Sequence, residues 1–426
     1  MLYVLVVLVA AFVTWVATFV VRAAAPRLKL VVAPSERMVH TRSTATMGGL
    51  AMLFGFLVAF GFASQVRGFH DIFTRSSEPI GIVLAAIVIT TVGALDDIFD
   101  VTAPAKLAGQ ILSSSVLWIF GATMFWFKVP FAGVIVLSAS ITPLLTAVWV
   151  VAMENAVNLI DGLDGLAGGI VAIASLAFGL YGLKLESLGQ LSASSLGPLI
   201  AFVVFGICLG FLPHNFHPAR IFMGDTGAML LGLLMAASTS LVGGRTIGVS
   251  DQTFFFFAPL FIPFVILGVP MVDMVFAVIR RTARRSGVSS PDKEHLHHRL
   301  MQMGHGHLRS VLILWAWTAV LAGFALVPTF LHQINAELPF VVAAAGITLY
   351  TLFRPGLSKQ YRHSKRAKIG SRRGGTRVVS SDVRAGDERT AASRSSGQEL
   401  VGESLGRTQS NTSERFLEPE QRGEDR

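Results

Sequence analysis

Carboxylate side chains stand at the ends of apolar runs at two points of the chain. Asp96 and Asp97 follow an apolar run that ends at Leu95, and Asp225 precedes a run rich in Leu, Gly and Ala. Adjacent carboxylates repel one another unless a cation lies beside them, and carboxylate oxygen is a ligand that Mg²⁺ takes together with substrate phosphates. The alternative is structural: the Asp pair ends one helix and Asp225 caps the start of another. Either motif alone leaves both interpretations open.

Asparagine and aspartate recur at every third position between two further apolar runs. These residues are Asn155, Asn158, Asp161 and Asp164, and in a helix each neighbouring pair would share one side of a turn. Polar groups that stay unpaired are penalised inside a membrane. The pattern therefore favours a functional site over helix capping.

Histidines are concentrated in one polar segment near the end of the apolar region. His295, His297, His298 and Arg299 follow Asp292 within a few positions. Three histidines so close together suggest zinc, but no cysteine is nearby and the spacing differs from zinc fingers and HExxH helices. Imidazole and guanidinium groups beside carboxylates instead suit a phosphorylated anion.

The composition places these motifs in a membrane protein. Of the 426 residues, 52% are hydrophobic and only 14% are charged, and the mean hydropathy is +0.61. An ordinary soluble domain is about 25% charged, so a soluble globule is excluded. The single cysteine, Cys208, lies in an apolar run, and no intrachain disulfide can form.

Apolar runs predict an all-α polytopic membrane protein with about eleven transmembrane helices, each near the roughly 20 residues that cross a bilayer. The predicted spans are 2–21, 47–64, 79–95, 107–125, 131–152, 163–183, 194–212, 226–243, 253–279, 310–331 and 338–353. An outside amino terminus and a cytoplasmic carboxyl terminus place most loop Lys and Arg on the inner side, as the positive-inside rule requires. On this topology the acidic motifs converge at the cytoplasmic face.

The net charge of +9 raises nucleic acid as a partner class. Basic residues in a membrane protein more often mark cytoplasmic loops, so we expect no nucleic-acid partner. The segment 354–426 is rich in Ser, Arg, Gly and Glu, which predicts a basic, polar and disordered cytoplasmic tail. Residues 1–353 form the predicted transmembrane domain.

Taken in chain order, the motifs resemble the polyprenyl-phosphate N-acetylhexosamine-1-phosphate transferases, the membrane enzymes of glycosyltransferase family 4. The resemblance rests on the Asp96-Asp97 pair, the Asn-x-x-Asp-Gly-x-Asp-Gly stretch from Asn158, the Phe-Met-Gly-Asp loop that ends at Asp225, and the His-x-His-His stretch from His295. It implies that 1–353 is a transmembrane catalytic domain. It also implies transfer of a sugar 1-phosphate from a UDP-linked amino sugar to a polyprenyl phosphate, with UMP as the second product and Mg²⁺ or Mn²⁺ as cofactor.

The resemblance assigns roles to individual residues. Asp96 and Asp97 match the catalytic acidic pair, and Asp225 matches the metal-binding aspartate, with Asp97 as a second metal ligand. The residues expected to bind substrate are Lys106, Asn158, Asp161, Asp164, Asn215, His295, His297, His298 and Arg299. Direct displacement by the lipid phosphate is expected, and a base or covalent intermediate at the acidic pair stays open.

The histidine stretch also bears on the subtype. Asp-Lys-x-His-Leu-His-His-Arg-Leu resembles the actinobacterial decaprenyl- or undecaprenyl-phosphate branch, which starts arabinogalactan, teichoic acid or O-antigen units with GlcNAc 1-phosphate. We therefore expect UDP-GlcNAc, a polyprenyl phosphate and membrane lipid as partners at the plasma membrane, and leave a homodimer open. A phospho-N-acetylmuramoyl-pentapeptide transferase is the alternative within the family. A secondary transporter is the alternative from another class, and it predicts acids in the middle of spans and inverted repeats.

Overall fold

The computed structural model of the chain describes residues 1–28, 30–32, 44–129, 133–243, 245, 268, 274–275, 279, 300–301, 303–331 and 337–353. Helices dominate this part of the chain. They are α1 (Leu2–Ala24), α2 (Gly48–Gln65), α3 (His70–Thr74), α4 (Glu78–Phe99), α5 (Ala103–Ile119), α6 (Thr142–Ile160), α7 (Leu166–Ser187), α8 (Leu196–Asn215), α9 (Gly224–Gly243), α10 (His307–Phe330) and α11 (Leu338–Phe353). One 3₁₀ turn, Arg67–Phe69, precedes α3.

Eight of these helices are long and apolar enough to cross a membrane: α1, α2, α4, α6, α7, α8, α9 and α10. Helices α5 and α11 are apolar but shorter, with 17 and 16 residues. The chain is thus a multi-pass membrane protein, as its composition predicts. The span predicted at 253–279 and the tail at 354–426 lie outside the continuous described ranges, and the count of eleven and the orientation stay predictions.

The span predicted at 131–152 is wrong at its start. Strand β3 (Trp126–Val129) pairs antiparallel with β4 (Gly133–Val136), and α6 begins only at Thr142. Aromatic and β-branched residues in this stretch suit strands, and mean hydropathy does not separate an apolar strand from an apolar helix. A second short strand pair joins β1 (Val31–Val32) to β2 (Thr44–Ala45) in antiparallel pairing. The described chain is otherwise mostly helical, as predicted, and these two short strand pairs add to the helical fold.

Helix α9 lies at the centre of the described helices. Its apolar stretch is wholly buried inside the protein, and α9 packs against α2, α4, α6 and α8. Small residues let membrane helices approach closely; at Gly232, a Cβ atom would overlap the α6 backbone at Glu154. Helix α1, by contrast, exposes Phe12, Phe19 and Val20, as a lipid-facing helix would.

The start of α9 is held by the chain segment that precedes α2. The Phe222 amide donates a hydrogen bond to the Ala45 carbonyl over 2.8 Å. Gly49 lies against the backbone of Gly227 so closely that any side chain at position 49 would overlap it. These contacts fix the loop that carries Asp225.

Candidate active site

Asp97 holds the first turn of α9. One Asp97 carboxylate oxygen accepts a hydrogen bond from the Asp225 amide at 2.9 Å, and the other accepts from the Thr226 amide at 3.1 Å and the Thr226 hydroxyl at 2.5 Å. A carboxylate is favoured at a helix N-terminus because the free amides and the helix dipole attract it. Gly224 takes a positive φ of 68° and approaches the Asp97 carboxylate so closely that a Cβ atom would overlap it. Asp97 thereby positions the backbone of Asp225.

Lys106 connects the acidic residues of α4 and α9. Its Nζ donates to Asp96 Oδ2 at 2.8 Å and also to Asp225 Oδ2. The other Asp96 oxygen accepts from the Val101 amide at 2.8 Å. Asp100 ends α4 with a left-handed φ of 53°, which turns the chain sharply so that α5 returns beside the end of α4. This local turn brings Lys106 back to Asp96.

The end of α6 adds two further polar residues. The Asn158 side chain lies beside the Asp225 carboxylate, and Asp161 follows directly after the last helical residue. Burial, together with the negative charges of Asp225, Asp97 and Asp164, raises the pKa of Asp161 to about 8. The carboxylates therefore lie close enough to repel one another.

This arrangement of donors fits a divalent cation. Asp96 and Asp225, joined by Lys106, supply carboxylate oxygens, which are the ligands that Mg²⁺ and Mn²⁺ prefer, and Asp161 lies near Asp225. Lys106 offsets only part of this charge, and a bound cation would offset the negative charges that add to burial in raising the pKa of Asp161. Both Asp97 oxygens accept hydrogen bonds from the start of α9, so its described contacts position Asp225, and its metal and catalytic roles stay predictions.

The four Asn and Asp residues of the sequence pattern do not all lie on one helix. Asn155 and Asn158 lie on α6, but α6 ends at Ile160, so Asp161 and Asp164 lie in the connection to α7. Gly165 takes a positive φ of 74° in this connection. The span predicted at 131–152 therefore ends too early, because α6 continues to Ile160.

Asn215 joins two loops of the site. Its side-chain oxygen accepts from the Gly165 amide at 2.9 Å, and its nitrogen donates to the Ile221 carbonyl at 2.9 Å. The residue is 2% exposed. These contacts hold the α6–α7 connection against the loop before α9, and the predicted substrate contact of Asn215 stays a prediction.

Asp164 forms the centre of a second polar group beside the acidic cluster. Its Oδ2 accepts from the Ala219 amide at 3.0 Å and lies 2.7 Å from His217 Nδ1 and 3.8 Å from His307 Nε2. His307 is not among the residues predicted from the sequence motifs. It follows His305 in a Gly-His-Gly-His stretch, and this repeated histidine is a signal that the sequence does carry.

Glu154 is a further residue that the sequence reasoning missed. It is fully buried on α6 and accepts a hydrogen bond from the Ser113 hydroxyl of α5 at 3.3 Å, with Gln110 nearby. Gln110 in turn accepts from Asn155 at 3.1 Å. The available signal was a carboxylate inside an apolar run, which marks a candidate functional residue in a membrane protein.

Part of the predicted site cannot be placed. His295, His297, His298 and Arg299 lie outside the described residues. Their predicted role, binding of the diphosphate group, is carried by the sequence motif alone.

Comparison with known proteins gives the family. The model of glycosyl transferase family 4 matches residues 79–243, a range that holds Asp96, Lys106, Asp161 and Asp225. The decaprenyl-phosphate N-acetylglucosaminephosphotransferase of Mycobacterium tuberculosis is 40% identical over 363 residues, which cover 83% of this chain and 89% of the relative.

Two further relatives show the breadth of the similarity. The probable undecaprenyl-phosphate N-acetylglucosaminyl 1-phosphate transferase of Bacillus subtilis is 36% identical, over 70% of this chain and 77% of the relative. The phospho-N-acetylmuramoyl-pentapeptide-transferase of Moorella thermoacetica is 33% identical, over 66% of this chain and 82% of the relative. With relatives this similar over most of their length, and with the acidic residues of its motifs brought together at adjoining helix ends, the chain belongs to glycosyl transferase family 4.

Proposed function

We propose that the protein transfers GlcNAc 1-phosphate from UDP-GlcNAc to a polyprenyl phosphate, which gives a polyprenyl diphosphate GlcNAc and UMP. The observation that carries this proposal is the convergence of Asp96, Asp161, Asp225 and Lys106 at the adjoining ends of four helices. The names of the Mycobacterium and Bacillus relatives support a polyprenyl phosphate acceptor and an N-acetylglucosamine phosphate group.

The reaction is a phosphoryl transfer in which an oxygen of the lipid phosphate attacks the sugar-bearing phosphorus of the donor. The bond from that phosphorus to the bridging oxygen breaks, and UMP leaves with the electron pair. Positioning and charge neutralisation supply most of the catalysis in such reactions. The attacking phosphate monoester is mostly dianionic at pH 7 because its second pKa is about 6, so no protein base is required.

Each described residue then has a defined task. Asp225, Asp96 and Asp161 would hold Mg²⁺ or Mn²⁺, which when bound neutralises the diphosphate and the leaving UMP. Lys106 keeps the Asp96 and Asp225 carboxylates in place and adds a positive charge beside them. Asp97 aligns the first turn of α9. A covalent intermediate on Asp97 is less compatible with this geometry, because both of its oxygens accept hydrogen bonds from α9.

The location and pathway follow from the same reasoning. The acidic cluster lies where the positive-inside rule puts the cytoplasm, so we place the reaction at the cytoplasmic face of the plasma membrane. The product would begin a cell-envelope glycan of the arabinogalactan, teichoic acid or O-antigen type. A secondary transporter is less compatible, since Asp96, Asp161 and Asp225 lie at helix ends.

The test is sugar transfer by the purified protein in detergent. We expect label from UDP-GlcNAc to enter the lipid fraction with one UMP released per sugar transferred, with either decaprenyl or undecaprenyl phosphate as acceptor. UDP-MurNAc-pentapeptide should not serve as donor. Efficient transfer from the pentapeptide donor would contradict the proposal in favour of a phospho-N-acetylmuramoyl-pentapeptide transferase. Absence of transfer from both donors would refute it.

A further inference from the structure

We propose that Asp164, His217 and His307 form a second cation site, which takes a transition metal ion of the zinc class. One ligand atom from each of the three side chains lies within 4.8 Å of the other two. The site is distinct from the acidic cluster around Asp225 in both residues and donor chemistry. The inference goes beyond the proposed function, and it does not depend on which sugar is transferred.

The three ligands come from three separate segments. Asp164 lies between α6 and α7, His217 lies between α8 and α9, and His307 is the first residue of α10. The two imidazole rings stack with centroids 4.3 Å apart and an angle of 24° between their planes. Two segments remote in sequence thus direct their histidines at the same carboxylate.

A hydrogen bond to Asp164 explains the position of His217 but not the position of His307. His217 Nδ1 lies 2.7 Å from Asp164 Oδ2, which a hydrogen bond explains. His307 Nε2 lies 3.8 Å from the same oxygen, which is beyond hydrogen-bond distance. Two protonated rings stacked this closely would repel one another, whereas a metal ion binds neutral imidazoles and the carboxylate together.

The carboxylate is already oriented for such a role. Asp164 is almost fully buried, and the Ala219 amide donates to the same oxygen that faces His217. Asn215 holds the two flanking loops together through Gly165 and Ile221. Outer hydrogen bonds of this kind fix metal ligands in place and strengthen metal binding.

The donor set predicts which metal binds. Two imidazoles and one carboxylate are the ligands of many zinc sites that keep one position open. Imidazole nitrogen suits Zn²⁺ and Co²⁺, while Mg²⁺ prefers oxygen. The His217 side chain is 44% exposed, so a metal ion can enter from solvent and a water molecule can complete its coordination.

A metal ion held by Asp164, His217 and His307 would link the α6–α7 loop and the α8–α9 loop, which border the acidic cluster, to the start of α10. A ligand that binds only the folded protein raises its stability. We therefore expect Zn²⁺ to raise the unfolding temperature of the intact protein through this site. Added Mg²⁺, by contrast, should act through the acidic cluster alone.

The experiment uses the full-length protein, purified in detergent and freed of metal. Co²⁺ is titrated while visible absorption is recorded, and Zn²⁺ is then added as a competitor. We expect a saturable band that Zn²⁺ abolishes. His217→Ala and His307→Ala should each weaken Co²⁺ binding by at least about tenfold, the lower end of the loss seen even for outer-shell substitutions.

Two control variants separate this site from other effects. His70→Ala removes an exposed histidine on α3, and Asp225→Asn alters the acidic cluster; both should keep the band. His307→Gln, checked for an unchanged elution volume, covers the case in which the alanine variant fails to fold. Unchanged Co²⁺ affinity in the folded His217 and His307 variants, or no saturable band in the unaltered protein, would overturn the proposal. Neither result touches the sugar-transfer assay, so the two proposals fail independently.

Discussion

At the scale of single residues, the structure gives Asp97 and Asp225 different contacts, whereas the sequence motifs present both simply as acidic site residues. Asp97 uses both carboxylate oxygens to hold the start of α9, whereas the Asp225 side chain meets Lys106 and Asn158. The backbone of Asp225 is thus held independently of its carboxylate. A change confined to the Asp225 side chain should affect charge and metal binding more than folding.

Asp225→Asn tests this separation. We expect the variant to insert and fold, because the Asp225 amide still donates to Asp97, but to lose about two orders of magnitude or more in turnover. The reason is that a bound metal ion contributes several kcal/mol of charge stabilisation in such reactions. The measurement is initial rate against Mg²⁺ concentration, and chelation should abolish the activity of the unaltered protein.

Asp71→Asn is the matched control for that experiment. Asp71 is exposed on α3 and pairs with Arg75 one helical turn away, so the same change there should leave the rate unchanged. Near-normal turnover of Asp225→Asn at saturating Mg²⁺ would remove Asp225 from the metal site.

Residue types were predictable from the sequence, but their partners were not. Asp96, Asp97 and Asp225 stand out because carboxylates are rare in an apolar chain. That Asp97 caps α9 depends on a contact across 128 positions, and that Asn215 binds the Gly165 amide depends on one across 50. Such pairing follows from how the helices pack, which composition and spacing do not report.

At the scale of helices, the site depends on how closely α4 approaches the start of α9. A Cβ atom at Gly93 would lie 2.6 Å from the Thr226 Cα and 2.7 Å from the Asp225 carbonyl oxygen. Both neighbouring atoms belong to backbone and cannot rotate away. A larger residue at position 93 must therefore push α9 from α4 and disturb the alignment of Asp225.

Gly93→Ala should reduce both stability and activity. Overpacking of a close helix contact costs about 1–3 kcal/mol, which outweighs the helix propensity gained when alanine replaces glycine. The measurements are thermal unfolding in detergent and the sugar-transfer rate. Gly61→Ala is the matched control, because Gly61 also lies inside a helix but has no atom within 4 Å of an added Cβ; a similar loss in both variants would contradict the close-contact explanation.

A second contact between helices involves Glu154 of α6, which accepts a hydrogen bond from the Ser113 hydroxyl of α5. Glu154→Ala would remove this buried contact, and we expect a loss of about 1–3 kcal/mol in unfolding free energy. Glu154→Gln keeps the size and an acceptor oxygen and should be milder. Thermal unfolding of both variants in detergent checks the order.

Val148→Ala provides the comparison for Glu154. Val148 lies on the same helix but is 57% exposed, so its truncation should change unfolding little. If Glu154→Ala unfolded at the same temperature as Val148→Ala, the hydrogen-bonded contact would carry no weight in holding α5 to α6.

Helices were predicted well where a long apolar run ended in glycine, proline or charge. The run 338–353 coincides with α11, and 226–243 differs from α9 by two residues at its start. The prediction failed at 131–141, where short strands are as apolar as a span. It also missed the continuation of α6 to Ile160, because Asn155 and Asn158 are polar yet are satisfied by Gln110 and Asp225 inside the protein.

At the scale of the whole molecule, the proposed chemistry is confined to the part of the chain that ends at the first residue of α10. The acidic cluster is built from the ends of α4 and α6 and the starts of α5 and α9, and the residues of the second cation site end at His307. Every residue with a proposed role, including the predicted histidine motif, therefore precedes Arg309. The segment beyond 354 carries charge and little apolar surface.

Removal of the chain from Ser371 onward should for this reason leave catalysis intact. The truncation keeps the basic residues between Lys359 and Lys368, which can interact with anionic lipid headgroups beside the membrane. It removes only a polar segment that the composition predicts to be disordered. We expect the truncated protein to transfer sugar in detergent within about twofold of the full-length rate, when both are compared at equal abundance after correct insertion. Loss of most of the activity would show that the tail takes part in the site or in its assembly, and the boundary between catalytic domain and tail would have to move beyond 354.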